Sequence, residues 1–109
     1  MKHSLYIGLG SNLGDRKALI MEALRLVGLQ VGSVERVSSM METEPWGFDS
    51  ENQFLNAAAL VLTTLSPHEC LRRTQHIECM LGRRRKSTDG HYHDRPIDID
   101  LLRYDDLEI

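Results

Sequence analysis

Short apolar runs and helical repeats follow one another in the order β-α-β-β-α-β, and this order predicts an α+β domain. The expected architecture is the ferredoxin-like one: an antiparallel sheet with two helices on one face. Three observations carry the expectation. Gly, Asn and Pro punctuate the apolar runs as they do at strand ends. Two stretches place apolar residues at helical spacing behind a capping residue. The chain has 109 residues, enough for one domain (1–109) around one modest core.

Ser4 to Leu9 (SLYIGL) is short, apolar and followed by Gly10, so it reads as a buried strand. The segment GLGSNLG at 8–14 resembles a phosphate-binding glycine loop, but Leu13 stands where G-x-G-x-x-G needs glycine and no G-K-[ST] follows. It is expected to be a tight strand-to-helix turn, with Ser11, Asn12 or Asp15 capping the helix. Asp15 to Leu29 is the first helix. Ile20, Leu24 and Val27 share a face, and Gly28 or Gly32 supplies the stop. Val31 to Met41 is a second strand candidate, and EPWGFDS at 44–50 is a loop. Leu55 to Thr64 reads as a strand, with a helix as the alternative because of its three alanines. Ser66-Pro67 opens the second helix with Ser at the N-cap and Pro at N1. Leu71, Thr74, Ile77 and Leu81 are expected to line one face, and Gly82 to end it. Arg83 to Asp94 has no apolar pattern and reads as a loop, and Ile97 to Tyr104 is the last strand.

Composition narrows the function. Hydrophobic residues make up 41% and charged residues 27%, as in ordinary soluble proteins. A net charge of -3 argues against binding nucleic acid by bulk charge. No apolar run approaches the roughly 20 residues that span a bilayer, and the N-terminus lacks the pattern of a signal peptide. Cys70 and Cys79 lie nine residues apart, so on a helix they point to opposite sides and cannot bridge. Two free thiols suit the cytoplasm, the expected location.

The segment DRPIDIDLL at 94–102 carries the clearest chemistry. On a strand, Asp98 and Asp100 point to one face and Ile97, Ile99 and Leu101 to the other, with the carboxylates about 7 Å apart at Cβ. Such a pair suits Mg²⁺, which takes one or two protein carboxylates and leaves other positions to phosphates and water; a solvated strand face accounts for the spacing equally well. Seven of the 13 basic residues lie between Arg72 and Arg95, including GRRRK at 82–86. Alone this is a solvated loop. Leading into a carboxylate pair, it is equipment for phosphoryl transfer, with cations for a polyphosphate and acids for its metal. Gln75 and Glu78 share a helix face beside that loop, and Asn56 opens an apolar strand next to Phe54.

Taken together, GLGSNLGDR at 8–16, TEPWG at 43–47, FLNAA at 54–58, TQHIE at 74–78, GRRRK and DRPIDIDLL resemble the 6-hydroxymethyl-7,8-dihydropterin pyrophosphokinase family of folate biosynthesis. The resemblance implies transfer of pyrophosphate from ATP to the pterin hydroxymethyl group, releasing AMP, with two Mg²⁺ ions. By position it implies Asp98 and Asp100 as metal ligands and Arg83 and Arg85 as loop arginines acting on the phosphates. It implies nucleotide contacts from Gln75, Glu78, Arg85, Tyr92, Arg95 and Leu101. It implies a pterin pocket of Thr43, Trp46, Gly47, Phe54 and Asn56. His93-Asp94 precede Arg95 where the family more often has Gly-Pro. The family also continues past the last strand into a C-terminal segment. On that comparison residues 1–109 are a domain lacking the segment, with weaker ligand binding, slower turnover, and a surface open to self-association. The alternatives are a short homologue that binds nucleotide or pterin weakly with little turnover, and an RNA-binding module of the same element order. FLNAAALVL offers no aromatic after Phe54 and DIDLL puts acids where RNA would lie, so nucleic acid is not an expected partner.

Overall fold

The computed structural model describes residues 1–43, 53–82 and 96–108. It contains β1 (His3–Ser11), α1 (Arg16–Gln30), β2 (Ser33–Val37), β3 (Met41–Thr43), β4 (Phe54–Thr63), α2 (Pro67–Met80), β5 (Asp98–Tyr104) and β6 (Leu107–Glu108). The sheet order is β2-β4-β1-β5-β6, with β3 also on β4, and the pairs are antiparallel. This is the expected α+β arrangement, with a two-residue strand, β6, added after the expected last one. The loops expected at 44–50 and 83–94 lie outside the described residues.

The core follows from alternation. Leu5, Ile7 and Leu9 of β1, Ala57, Ala59 and Val61 of β4, and Ile99 of β5 face the helices. They meet Ile20, Ala23, Leu24 and Val27 of α1 and Cys70 and Ile77 of α2. The predicted α1 face is therefore buried as expected, and the three-alanine segment is strand. Asp15 caps α1 by accepting from the Ala18 N–H, and Ser66 caps α2 by accepting from the Glu69 N–H. Gly82, with φ of 106°, follows the end of α2.

Four expectations change. Gly8, Gly10 and Ser11 belong to β1, and the turn begins after them, with Gly14 at φ 72°. On α2, Leu71 faces solvent and Cys70 takes its place, because Cys70, Thr74 and Ile77 are the set that points at the sheet. Gly28 lies inside α1, which runs on to Gln30. Residues 31–41 are not one strand. Val37 pairs with Ala59, but Met41 pairs with Asn56, so the register slips by one residue in between. Ser38 is the reason: its backbone N–H donates to the Ala58 carbonyl, and its hydroxyl accepts from the Ala58 N–H, so a side chain replaces the backbone acceptor. A slip of one reverses every side chain beyond it. Met40 packs against the core, and Thr43 comes to stand opposite Phe54.

A second irregularity keeps β5 in place. Leu101 pairs with Ile7 and Arg103 with Tyr6, so Leu102 is the extra residue of a bulge. Without it Tyr104 would face solvent; with it Tyr104 is buried and its hydroxyl donates to the Leu65 carbonyl at 2.7 Å. The β5–β6 turn is then clipped to the start of β1. Asp105, at φ 52°, donates its N–H to Ser4 and accepts from the Ser4 N–H and from His3.

The Ser4 N–H and, after it, the His3 ring hold the Asp105 carboxyl below its ordinary pKa. A carboxyl depressed in the folded state stabilises the fold above its unfolded pKa, near 4, and loses that contribution as pH falls through the lower folded value. Asp105→Asn is therefore expected to be less stable than the parent at neutral pH, with the gap shrinking as acid is added below about pH 4. Urea unfolding at several pH values measures this, and a constant gap contradicts it. Two glycines give a contrasting pair. A Cβ on Gly32 would lie 2.2 Å from the Leu62 carbonyl oxygen, whereas one on Gly28 meets nothing within 4 Å. Gly32→Ala should cost about 3 kcal/mol or more, and Gly28→Ala should add about 0.5–1 kcal/mol in the same experiment.

Candidate functional site

Both helices pack on one face of the sheet, and the other face is built from the alternate residues. On β1 these are Tyr6, Gly8 and Gly10. Gly10 pairs with Asn56 on one side and Asp98 on the other, and Gly8 pairs with Ala58 and Asp100. At Gly8 and Gly10 the central strand thus adds no side chain of its own, although the Leu102 side chain lies over Gly8, and Asn56 and Asp98 stand on the two sides of Gly10, about 10 Å apart as two strand spacings require. Glycine is needed at position 10 for space. A Cβ there would be 3.0 Å from Asn56 Oδ1 and 3.4 Å from Phe54 Cδ1, so the amide oxygen and the ring both lean over it.

Thr43, Asn56 and Phe54 form one bank of this trough. The Asn56 side-chain NH₂ donates to Thr43 Oγ1 at 2.6 Å, which fixes which way the amide is turned and leaves Oδ1 toward Gly10. An oriented amide and an aromatic ring offer a flat heterocycle hydrogen bonding at its edge and stacking on its face. Met41, opposite Asn56, is largely exposed on the same side.

Asp98 and Asp100 form the other bank, on one side of β5, half-buried and exposed respectively. Their carboxylate oxygens are the hard donors that Mg²⁺ takes, and a pair suffices where phosphate and water complete the shell. Among the described residues no cluster of three or more His, Cys, Asp and Glu could hold a metal. Ile99, between them, points to the core, and its N–H is directed away from β1 and donates to Glu78 Oε2 of α2 at 2.7 Å. Glu78 is 7% exposed, so its described contact holds β5 against α2. Gln75 is exposed on α2, and Leu101 packs against the core. These three stand on the helix side of the sheet and meet the aspartates only around the edge of β5.

The structure therefore brings Thr43, Phe54, Asn56, Asp98 and Asp100 to one face of the sheet, the one turned away from the helices. Trp46, Gly47, Arg83, Arg85, Tyr92 and Arg95 lie outside the described residues. The ends of the segment carrying the last four are close together, since a Cβ on Gly82 would lie 3.7 Å from Pro96 Cγ. The glycine floor was missed from sequence. Its signal was the alternation of Gly8 and Gly10 with Ile7 and Leu9, which marks a strand bare on one side.

Comparison with known proteins agrees with this geometry. Residues 6–109 match the family model described as 7,8-dihydro-6-hydroxymethylpterin-pyrophosphokinase. A 2-amino-4-hydroxy-6-hydroxymethyldihydropteridine pyrophosphokinase of Porphyromonas gingivalis is 51% identical over 98 residues, 90% of this chain and 67% of that protein. The protein of the same name from Bacillus subtilis is 41% identical over 105 residues, 95% of this chain and 61% of its own length. The chain thus spans about two thirds of the length of these relatives. A chain from a crystal structure of HPPK-DHPS in complex with substrates superposes with a TM-score of 0.73 over 96% of this chain and 28% of that one, at 17% identity, which shows a shared fold. No helix among the described residues is long and apolar enough to cross a membrane.

The Glu78 contact has a measurable consequence. Glu78→Ala leaves the buried Ile99 N–H without this acceptor and should cost about 1–3 kcal/mol in urea unfolding. Glu78→Gln keeps an acceptor oxygen and should cost less. Equal losses would show that the charge of Glu78, rather than its hydrogen bond to Ile99, is what matters.

Proposed function

Because the chain belongs to the 7,8-dihydro-6-hydroxymethylpterin-pyrophosphokinase family, we propose that it transfers the pyrophosphoryl group of ATP to 6-hydroxymethyl-7,8-dihydropterin. The hydroxymethyl oxygen bonds to the β-phosphorus, the bond from that phosphorus to the bridging oxygen of the α-phosphate breaks, and AMP leaves. The hydroxyl proton passes to solvent water. The observation that carries this reading is the placing of a carboxylate pair and an oriented amide with an aromatic ring on opposite sides of the β1 glycines.

In this reading the pterin lies on the Thr43–Phe54–Asn56 bank. Asn56 and Thr43, together with Trp46 and Gly47, bond its edge, and Phe54 covers one face. Asp98 and Asp100 hold Mg²⁺, with two ions accompanying ATP. The metal, when bound, neutralises phosphate charge and favours the departure of AMP. Gln75, Glu78 and Leu101 contact the nucleotide around the edge of β5, and Tyr92 and Arg95 contribute further contacts to it. Arg83 and Arg85 aim positive charge at the transferring phosphates. Since phosphoryl transfer asks mainly for positioning and charge neutralisation, no side-chain nucleophile is required.

AMP release, measured with ATP, pterin and Mg²⁺, tests the reaction. Asp98→Asn and Asp100→Asn are each expected to abolish Mg²⁺-dependent ATP binding, and full affinity in either variant removes that residue as a ligand. Arg83→Ala and Arg85→Ala should lower kcat by orders of magnitude and change KM less, because charge aimed at the transition state acts on the chemical step. An effect on KM alone would mean that these arginines only attract the nucleotide.

A further inference from the structure

β3 is only three residues long and exposed along its length, and among the described residues it pairs with the first three residues of β4 alone. A strand this short holds its place weakly by its ladder alone. Yet the Thr43–Asn56 hydrogen bond needs it held closely. Arg16, the first residue of α1, supplies the restraint. Its Nη1 donates to the Gln53 carbonyl at 2.8 Å, and its Nη2 donates to the Glu42 carboxylate. Gln53 immediately precedes Phe54, and Glu42 immediately precedes Thr43. Glu42 alternates with Thr43, so it faces the helix side, where α1 begins. Arg16 follows the Asp15 cap, which holds the start of α1 by accepting from the Ala18 N–H. One planar guanidinium thus gathers the two chain segments that carry Thr43 and Phe54 and ties both to the turn that follows β1.

We propose that Arg16 is a positioning residue for the pterin-binding bank, acting through Glu42 and the Gln53 carbonyl to set the spacing of Thr43, Asn56 and Phe54. This rests on the functional reading above. The hydrogen bonds of Arg16 go to Gln53 and Glu42, on the side of the bank away from the aspartates, so its effect falls on one substrate. The Arg16–Glu42 pair is partly exposed, and such pairs add little to stability. The fork shape matters as well, because lysine offers a compact charge and cannot span two acceptors in the fixed geometry of a guanidinium.

The test compares Arg16→Met, Arg16→Lys, Glu42→Gln and the Arg16→Met/Glu42→Gln double variant with the parent. In the ligand-free protein, the Asn56 side-chain amide signals in a ¹H–¹⁵N spectrum should shift in Arg16→Met, while the thermal midpoint changes by a few degrees at most. Calorimetric titration with pterin, with Mg²⁺ and a non-hydrolysable ATP analogue present, should show affinity down by about tenfold in Arg16→Met and less in Arg16→Lys. Affinity for the Mg²⁺–nucleotide alone should be unchanged. The double variant should lose no more than Arg16→Met, as expected when one residue acts through the other. Unshifted Asn56 signals, unchanged pterin affinity, or equal weakening of pterin and nucleotide would each overturn the proposal. A parent protein that binds no pterin defeats the functional reading instead, and the Asn56 signals still decide whether Arg16 orders this bank.

Discussion

The central strand must do two opposed things at once. It lies between β4 and β5, and its Leu5, Ile7 and Leu9 are buried against the helices while its other face carries Gly8 and Gly10. Everything else is placed relative to it. Its inner side chains anchor α1 and α2, so the sheet cannot shift without exposing the core. Gly8 and Gly10 add no side chains to its outer face, so Asn56 and Asp98 on the two neighbouring strands confront one another across Gly10. A side chain at Gly10 would press on both Asn56 and Phe54.

Departures from regular pairing then aim what stands on the neighbours. The slip between Val37 and Met41, held by Ser38, turns Thr43 to the open face; had the earlier register continued, Glu42 would stand opposite Phe54. The bulge at Leu102 leaves Asp98 and Asp100 in register with the glycines while returning Tyr104 to the core. Each is a local break in the ladder that serves a distant requirement, as bulges near sites commonly do.

Much of this was legible in the sequence. Alternation in IDIDL placed two aspartates on one side of a strand, and the Ser66-Pro67 start of α2 was read correctly because capping depends on a few adjacent residues. The α1 face and the underlying β-α-β-β-α-β order were also readable, since both follow from periodicity, whereas the separate β3 and the two-residue β6 were not. What could not be read depended on partners far away in sequence. The register slip in 31–41 arises from a serine hydroxyl meeting Ala58, and the role of Glu78 from the Ile99 N–H, 21 residues on. Leu71 was assigned to the wrong face by one helical step, because Cys70 and Leu71 are both apolar and only the packing against the sheet separates them.

The closeness of Gly82 to Pro96 bears on how this chemistry can vary. The segment between them starts and finishes at nearly the same point, beside the strand that carries the aspartates. For a chain closed at its base in this way, the entropy of closure grows only with the logarithm of length, about 0.6 kcal/mol for each doubling. Residues can therefore be added or removed between positions 82 and 96 at little thermodynamic cost, provided that α2 and β5 stay packed. Length between those two positions is therefore only weakly constrained by stability, and the carboxylates on β5 keep their place as long as α2 and β5 stay packed.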